Sequence, residues 1–214
     1  MRKILLGTSN PSKAAYFAHQ LRDYDVSFLL LKDLGIENLP DEAGKDPLEN
    51  AVLKAAYYGR LYDYVISADS ALYIRELPPT DPRQPGLTIR RHPDGSAMDD
   101  EEMIAHYSAL ARELGGQMTC YYQDAYGVCN QGVVSGFMED ETVSSIHVFR
   151  MVDRPHPVRT PGWPLDSLSI WPSTGQYFVE NRERQLSAME QVLEKSYMDK
   201  LLAFYVEKLE LERR

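Results

Sequence analysis

Long apolar runs are missing from this sequence. No stretch approaches the roughly 18 consecutive residues of a membrane span, and the opening Met1 to Gly7 is too short an apolar run for a signal peptide. A soluble, cytoplasmic protein with no membrane partner is expected. Cysteine is scarce as well. Cys120 and Cys129 lack the short paired spacing of a zinc site, and nothing around them resembles a disulfide framework, so both read as reduced core or strand residues. Cationic residues are the minority, 23 Lys and Arg against 32 Asp and Glu, and the formal charge of -9 disfavours a broad grip on nucleic acid. A small anion then needs local cations or a metal. The five histidines, His19, His92, His106, His147 and His156, show no metal-ligand spacing, and no Gly-x-Ser-x-Gly or other nucleophile motif occurs, which argues against covalent catalysis. Internal repeats and low-complexity segments are absent too.

What is present is enough apolar material, 43% of 214 residues, to bury a core in one large domain or in two small lobes around a cleft. Lys3 to Thr8 reads as a strand, and Ala14, Phe17, Ala18 and Leu21 follow at helical spacing, with the loop Ser9-Asn10-Pro11-Ser12 between them. Val26 to Leu31 is a second apolar run. Asp46-Pro47-Leu48-Glu49 combines a cap, a first-turn proline and an acid three positions on, predicting a helix to about Leu61 with Leu48, Val52, Ala55 and Tyr62 as its buried stripe. Tyr64 to Ala68 reads as a strand that stops at Asp69, a placement typical of ligand-binding strand ends in open α/β sheets. Pro78 to Gly86 is a loop and Asp99 to Leu114 a helix. Met118 to Phe149 alternates β-prone runs with glycines, predicting an antiparallel meander. Arg154 to Pro164, rich in proline, is irregular. Leu186, Met189, Leu193, Tyr197, Leu201 and Phe204 step by three and four along a long C-terminal amphipathic helix.

Two groups of residues have the chemistry to do more than fold. Thr8, Ser9, Asn10, Ser12 and Lys13 lie between a strand and a helix, where backbone N–H groups, hydroxyls and an ammonium suit a phosphate. An ordinary turn with Ser12 as cap and Lys13 in solvent is the alternative. Glu42, Glu49 and Asp69 are three acids on a loop, a helix start and a strand end, a hard oxygen set of the kind Mg²⁺ prefers. Each also has a structural reading: a solvated loop acid, the closing residue of a capping box, a turn cap. Lys54 is either a solvated helix lysine or a second cation for phosphate.

The order of these pieces resembles the inosine triphosphate pyrophosphatase family, which removes non-standard purine nucleotides. The family's Thr-x-Asn-x-x-Lys is matched by Thr8, Asn10 and Lys13, and its acid followed by Glu-Asn-Ala-x-x-Lys-Ala by Glu42 and Glu49-Asn50-Ala51-Val52-Leu53-Lys54-Ala55. Asp69-Ser70-Ala71-Leu72 matches its Asp-Ser-x-Leu, and Pro85-Gly86 with Arg91 its Pro-Gly and following arginine. The likeness is specific over residues 3 to 91 and loose beyond. Gly162-Trp163-Pro164-Leu165-Asp166 looks like a distorted copy of the family's Gly-aromatic-Asp-Pro base-binding segment, with Trp163 to stack on a base and Asp166 to accept from it.

The resemblance implies an elongated α/β fold, a twisted mixed sheet with flanking helices and a second lobe beside a nucleotide cleft. The lobes are expected at about 1–117 with 186–214, and at 118–185. It also implies a homodimer and hydrolysis of a nucleoside triphosphate to the monophosphate and pyrophosphate. Water would attack phosphorus, helped by Asp69, while Mg²⁺ (or Mn²⁺) is held by Glu42, Glu49 or Asp69 and Lys13 and Lys54 neutralise the phosphates. Thr8, Ser9, Asn10, Ser70 and Arg91 complete the expected substrate contacts. Two departures stand out. Ala68 occupies the place of a second acid before Asp69, and the family's Ser-His-Arg is replaced by Ser187-Ala188-Met189, leaving Arg182 and Arg184 as nearby substitutes. Two further readings follow from these departures: a nucleotide-binding protein that has lost turnover, and a pyrophosphatase for another modified nucleotide.

Overall fold

The structure, a computed structural model, describes residues 1–8, 11–38, 40–92, 94–181 and 186–214. In chain order its elements are β1 (Arg2–Leu6), α1 (Pro11–Gln20), β2 (Val26–Leu30), α2 (Pro47–Tyr58), β3 (Tyr64–Ile74), α3 (Asp100–Glu113), β4 (Gln117–Asn130), β5 (Val133–Met138), α4 (Glu141–Ile146), β6 (Phe149–Val152), β7 (Ser169–Ile170) and α5 (Ala188–Lys208). They form two compact units. The first comprises Met1–Ser70, Asp124–Asp140 and Val192–Arg214, the second Ala71–Gln123 and Glu141–Gln191.

In the first unit β1 lies between β2 and β3 and is parallel to both, in register from Arg2 opposite Val26 to Leu6 opposite Leu30 on one side and with Leu5 opposite Val65 on the other. Ile4, Leu5 and Leu6 are all fully buried, as expected of a central parallel strand covered on both faces. The β4 segment pairs antiparallel with β5, from Ala125 opposite Met138 to Asn130 opposite Val133. Helix α2 begins at an Asp46 cap, whose carboxylate accepts from Glu49 N at 2.8 Å. Its buried face consists of Asn50, Ala51, Lys54, Ala55 and Tyr58.

That face packs on β3 in an ordered ladder. Val65 clusters with Ala55 and Tyr58, and the Ser67 hydroxyl donates to the Ala51 carbonyl at 2.6 Å. One step further along the same strand face, Asp69 meets Asn50 and Lys54. The approach is close because position 127 on β4 has no side chain. A Cβ there would sit 2.3 Å from the Ala51 carbonyl oxygen and 2.7 Å from the Ser67 hydroxyl.

The second unit has its own core, in which Leu72, Ile74, Met103, Tyr107, Leu110, Met118, Phe149, Met151 and Leu168 are buried together. β6 pairs antiparallel with the β4 segment of this unit, and β7 with β6. Helix α3 carries a complete capping box: Asp99 accepts from Glu102 N, and Glu102 accepts from Asp99 N, both at 2.8 Å. Gln84 pins the proline-rich loop, accepting from Ile74 N and donating to the Ile74 and Leu77 carbonyls.

The mixed α/β class agrees with the sequence reading, and both cysteines are buried and unpaired. Four details differ. β3 runs through Asp69 to Ile74, because Leu72 pairs with Gly86 and Arg75 N donates to the Thr119 carbonyl, so Asp69 stands midway along a strand. The stretch 118–149 is not a simple meander, since β6 pairs with β4 and α4 intervenes after β5. The units do not break at 117 and 186: α3 packs in the second unit, and the β4–β5 hairpin belongs to the first. Finally, of the stripe expected for α2 only Ala55 is buried, since Leu48, Val52 and Tyr62 are half-buried while Asn50 and Lys54 are covered.

Gly127→Ala is expected to destabilise the protein by about 3 kcal/mol, the upper end of the overpacking range, since the obstacle is backbone rather than a movable side-chain tip. Urea unfolding followed by circular dichroism measures it, and an unchanged midpoint would show that α2 shifts freely over β4.

Candidate functional site

In the first unit the predicted residues converge on one ammonium group. Lys54 Nζ lies 2.7 Å from Asp69 Oδ1 and 2.9 Å from Glu42 Oε1. The side chains of Lys54 and Asp69 are only 10% and 14% exposed, so this pair is largely out of water, while Glu42 at 49% caps it from the surface. The other Asp69 oxygen accepts from the Asn50 amide at 3.0 Å. Asn50 and Lys54 are four residues apart on α2, so one helix face delivers both donors to one carboxylate. Removing a partner from such a pair costs more than forming it gains, because the remaining charge stays buried.

Lys13, on α1, belongs electrostatically to the same cluster. Burial, and next the repulsion of Lys54, push its ammonium below its ordinary value, while Asp124, Asp69 and Glu42 pull it back up. Two cations are thereby held near each other with their acids, an arrangement that a polyanion relieves. Thr8 follows β1 and is half-buried, and Ser70 follows Asp69 on the opposite face of β3. The predicted contacts Ser9, Asn10, Arg182 and Arg184 lie outside the described residues.

Glu49 is placed differently from Glu42 and Asp69. It accepts from Lys45 N at 2.9 Å and pairs with the Lys45 ammonium at 2.8 Å, which together hold its carboxyl below the usual range. It therefore closes the start of α2 one residue earlier than a capping box would. Among the described residues no group of three acids, histidines or cysteines is gathered as a metal cage.

In the second unit Arg91 is exposed and donates to the Gly95 carbonyl at 3.0 Å. Trp163 and Asp166 share one short turn, a 3-10 helix over Pro164–Ser167, in which Asp166 N donates to the Trp163 carbonyl at 3.2 Å and the Asp166 side chain is buried. Sequence reasoning missed two residues of the first-unit cluster, Asn50 and Asp124. The i,i+4 spacing of Asn50 and Lys54 was the signal available for the first. Nothing local marks the second, whose charge acts on Lys13 from 111 positions away in the sequence.

Lys13 and Lys54 are expected to respond oppositely to loss of charge. A lysine whose folded pKa lies below its unfolded value costs stability at neutral pH, and that cost fades only as pH rises toward the unfolded 10.5. Lys13→Met therefore leaves the thermal midpoint equal or higher, whereas Lys54→Met strands Asp69 and loses about 3 kcal/mol. Thermal melts of both variants at neutral pH decide this, and equal losses would rule it out.

The profile of the Ham1 family matches residues 4–150. The dITP/XTP pyrophosphatase of Yersinia pseudotuberculosis is 30% identical over 125 residues, 56% of this chain and 61% of that protein. The matched stretch thus spans about three fifths of that relative. The dITP/XTP pyrophosphatase of Thermus thermophilus is 26% identical over 188 residues, covering 83% of this chain and 80% of its own. In three dimensions the chain resembles a HAM1 protein from Coxiella burnetii, with a TM-score of 0.67 at 18% identity over 97% of this chain and 100% of that one.

Proposed function

Because the chain belongs to the Ham1 family, we infer that it hydrolyses a purine nucleoside triphosphate to the monophosphate and pyrophosphate at the Lys13, Lys54 and Asp69 cluster. The observation that carries this reading is the Lys54 ammonium shared by Asp69 and Glu42, with Lys13 half-buried in the same field. Cations held in a partly dry setting stabilise developing phosphate charge more than solvated ones do. The names of the relatives, dITP/XTP pyrophosphatase, supply the substrate class.

Asp69 takes the proton from a water that attacks the α-phosphorus. The α–β anhydride bond breaks, and pyrophosphate leaves with the electron pair. Both Asp69 oxygens are oriented, one by Lys54 and one by Asn50, and each keeps a lone pair for the water proton. Lys13 and Lys54 neutralise the departing phosphates. Asp69 and Glu42 are the residues that would hold Mg²⁺ or Mn²⁺, since they offer two hard carboxylate donors. When bound, it supplies further charge neutralisation on the phosphates. Glu49, tied to Lys45, is the weakest of the three predicted ligands.

Base choice is the looser half. Without the family's His-Arg pair, discrimination between a 6-oxo and a 6-amino purine falls, since such discrimination depends on buried donors.

Pyrophosphate release is measured across dITP, XTP, ATP and GTP with Mg²⁺ and with a chelator. Turnover in the presence of metal is expected, with a ratio of kcat/KM between the inosine and adenosine forms below about 10²-fold. Asp69→Asn is expected to lose about 10²-fold or more while remaining folded. Tight nucleotide binding without turnover would replace the enzyme by a binding protein. Wild-type turnover in Asp69→Asn would remove that residue from the chemistry.

A homodimer is the expected assembly, C2 pairs being the commonest closed form. The apolar Met189 and Val192 on α5 are 69% and 65% exposed, a surface for a second copy to cover. Light scattering at the 24.4 kDa monomer mass would refute it.

A further inference from the structure

Asn50 is almost completely buried, at 2% exposure, and uses both ends of its amide. Its nitrogen donates to Asp69 Oδ2 at 3.0 Å, and its oxygen accepts from Gly44 N at 2.8 Å. Gly44 lies two residues after Glu42, on the loop that carries Glu42 to the Lys54 ammonium. That loop comes so near that a Cβ at Gly44 would stand 2.6 Å from the Asn50 amide oxygen and 2.8 Å from the Asn50 backbone nitrogen. Position 44 thus admits only glycine at this separation.

From these contacts we propose that Asn50 is a positioning residue that latches the Glu42 loop to Asp69, so that both carboxylates meet the cations in one fixed arrangement. This rests on the hydrolase reading for its activity readout only. A carboxylate free to turn about its terminal torsion samples many orientations. Asn50 removes that freedom at Oδ2 just as Lys54 does at Oδ1. The same amide sets the height of the loop above α2, which determines how Glu42 reaches Lys54. Asn50 touches neither water nor phosphate in this scheme, so substrate affinity depends on it little.

The test uses the full chain with dITP and XTP as probes, and variants Asn50→Ala, Asn50→Asp, Gly44→Ala and the double Asn50→Ala/Gly44→Ala. In Asn50→Ala, kcat is expected to fall about 10- to 100-fold with KM changed less than about threefold, the signature of lost orientation rather than lost binding. Gly44→Ala is expected to do the same in smaller degree. The double variant should be no worse than Asn50→Ala alone, because the two residues serve one latch. Hydrogen exchange at the Gly44 amide supplies a readout independent of turnover: protection is lost in Asn50→Ala and kept in Asn50→Asp, which retains the acceptor while losing the donor to Asp69. Wild-type kcat in Asn50→Ala, or additive losses in the double variant, would overturn the proposal. Should the wild type release no pyrophosphate from either probe, the hydrolase reading fails, and Gly44 exchange in Asn50→Ala still decides the latch, unchanged protection refuting it. Should Asn50→Ala not fold, Gly44→Ala and Asn50→Asp carry the same comparisons.

Discussion

The ammonium of Lys54 lies between the carboxylates of Asp69 and Glu42, and the first unit is arranged around keeping it there. At about 3 Å, in surroundings that behave as an effective dielectric near 20, each contact is worth several kcal/mol of Coulomb energy, most of which is offset by the loss of water from the charges. The net gain is therefore small while the penalty for disorder is large. Such a network does little to drive folding, but it demands one geometry. The neighbours supply that geometry: the Ser67 to Ala51 bond sets the distance between helix and strand, and the bare position at Gly127 permits it.

Lys13 works in the opposite sense. Its charge is disfavoured by burial and by Lys54, a cost that the nearby acids Asp124, Asp69 and Glu42 offset only in part. A bound polyanion would remove that cost and share the same cations. The two lysines stand on different helices, α1 and α2, and the same acids act on both.

The strands and helices of the first unit were largely legible because they follow simple rules: a continuous apolar run in β1, and a cap and proline before α2. What failed was the use of polarity as a guide to exposure. Leu48 and Val52 drew the expected stripe of α2 toward themselves, whereas Asn50 and Lys54 are covered beside Ala55, each satisfied by a partner distant in sequence. A hydrogen bond across 19 positions leaves no periodic trace. Asp69 was legible as an acid with chemistry to offer but not as a mid-strand residue, since the pairing that extends β3 comes from Gly86 and Thr119. Glu49 matched its motif and still turned toward Lys45, a neighbour the motif does not include. The boundary between units was least legible, because three of its four crossings cut through β3, β4 and α5 and only the one at Asp140/Glu141 falls between elements.

That last feature bears on how such a protein can change over time. The backbone passes between the units at Ser70/Ala71, Gln123/Asp124, Asp140/Glu141 and Gln191/Val192, so neither unit is a contiguous piece of gene. Recombination at one or two points cannot exchange the unit holding Trp163 and Asp166 for another while retaining the one holding Lys54. Divergence of this chain from its relatives has to be read as substitution in place, with each replacement tolerated by a scaffold already threaded through both units.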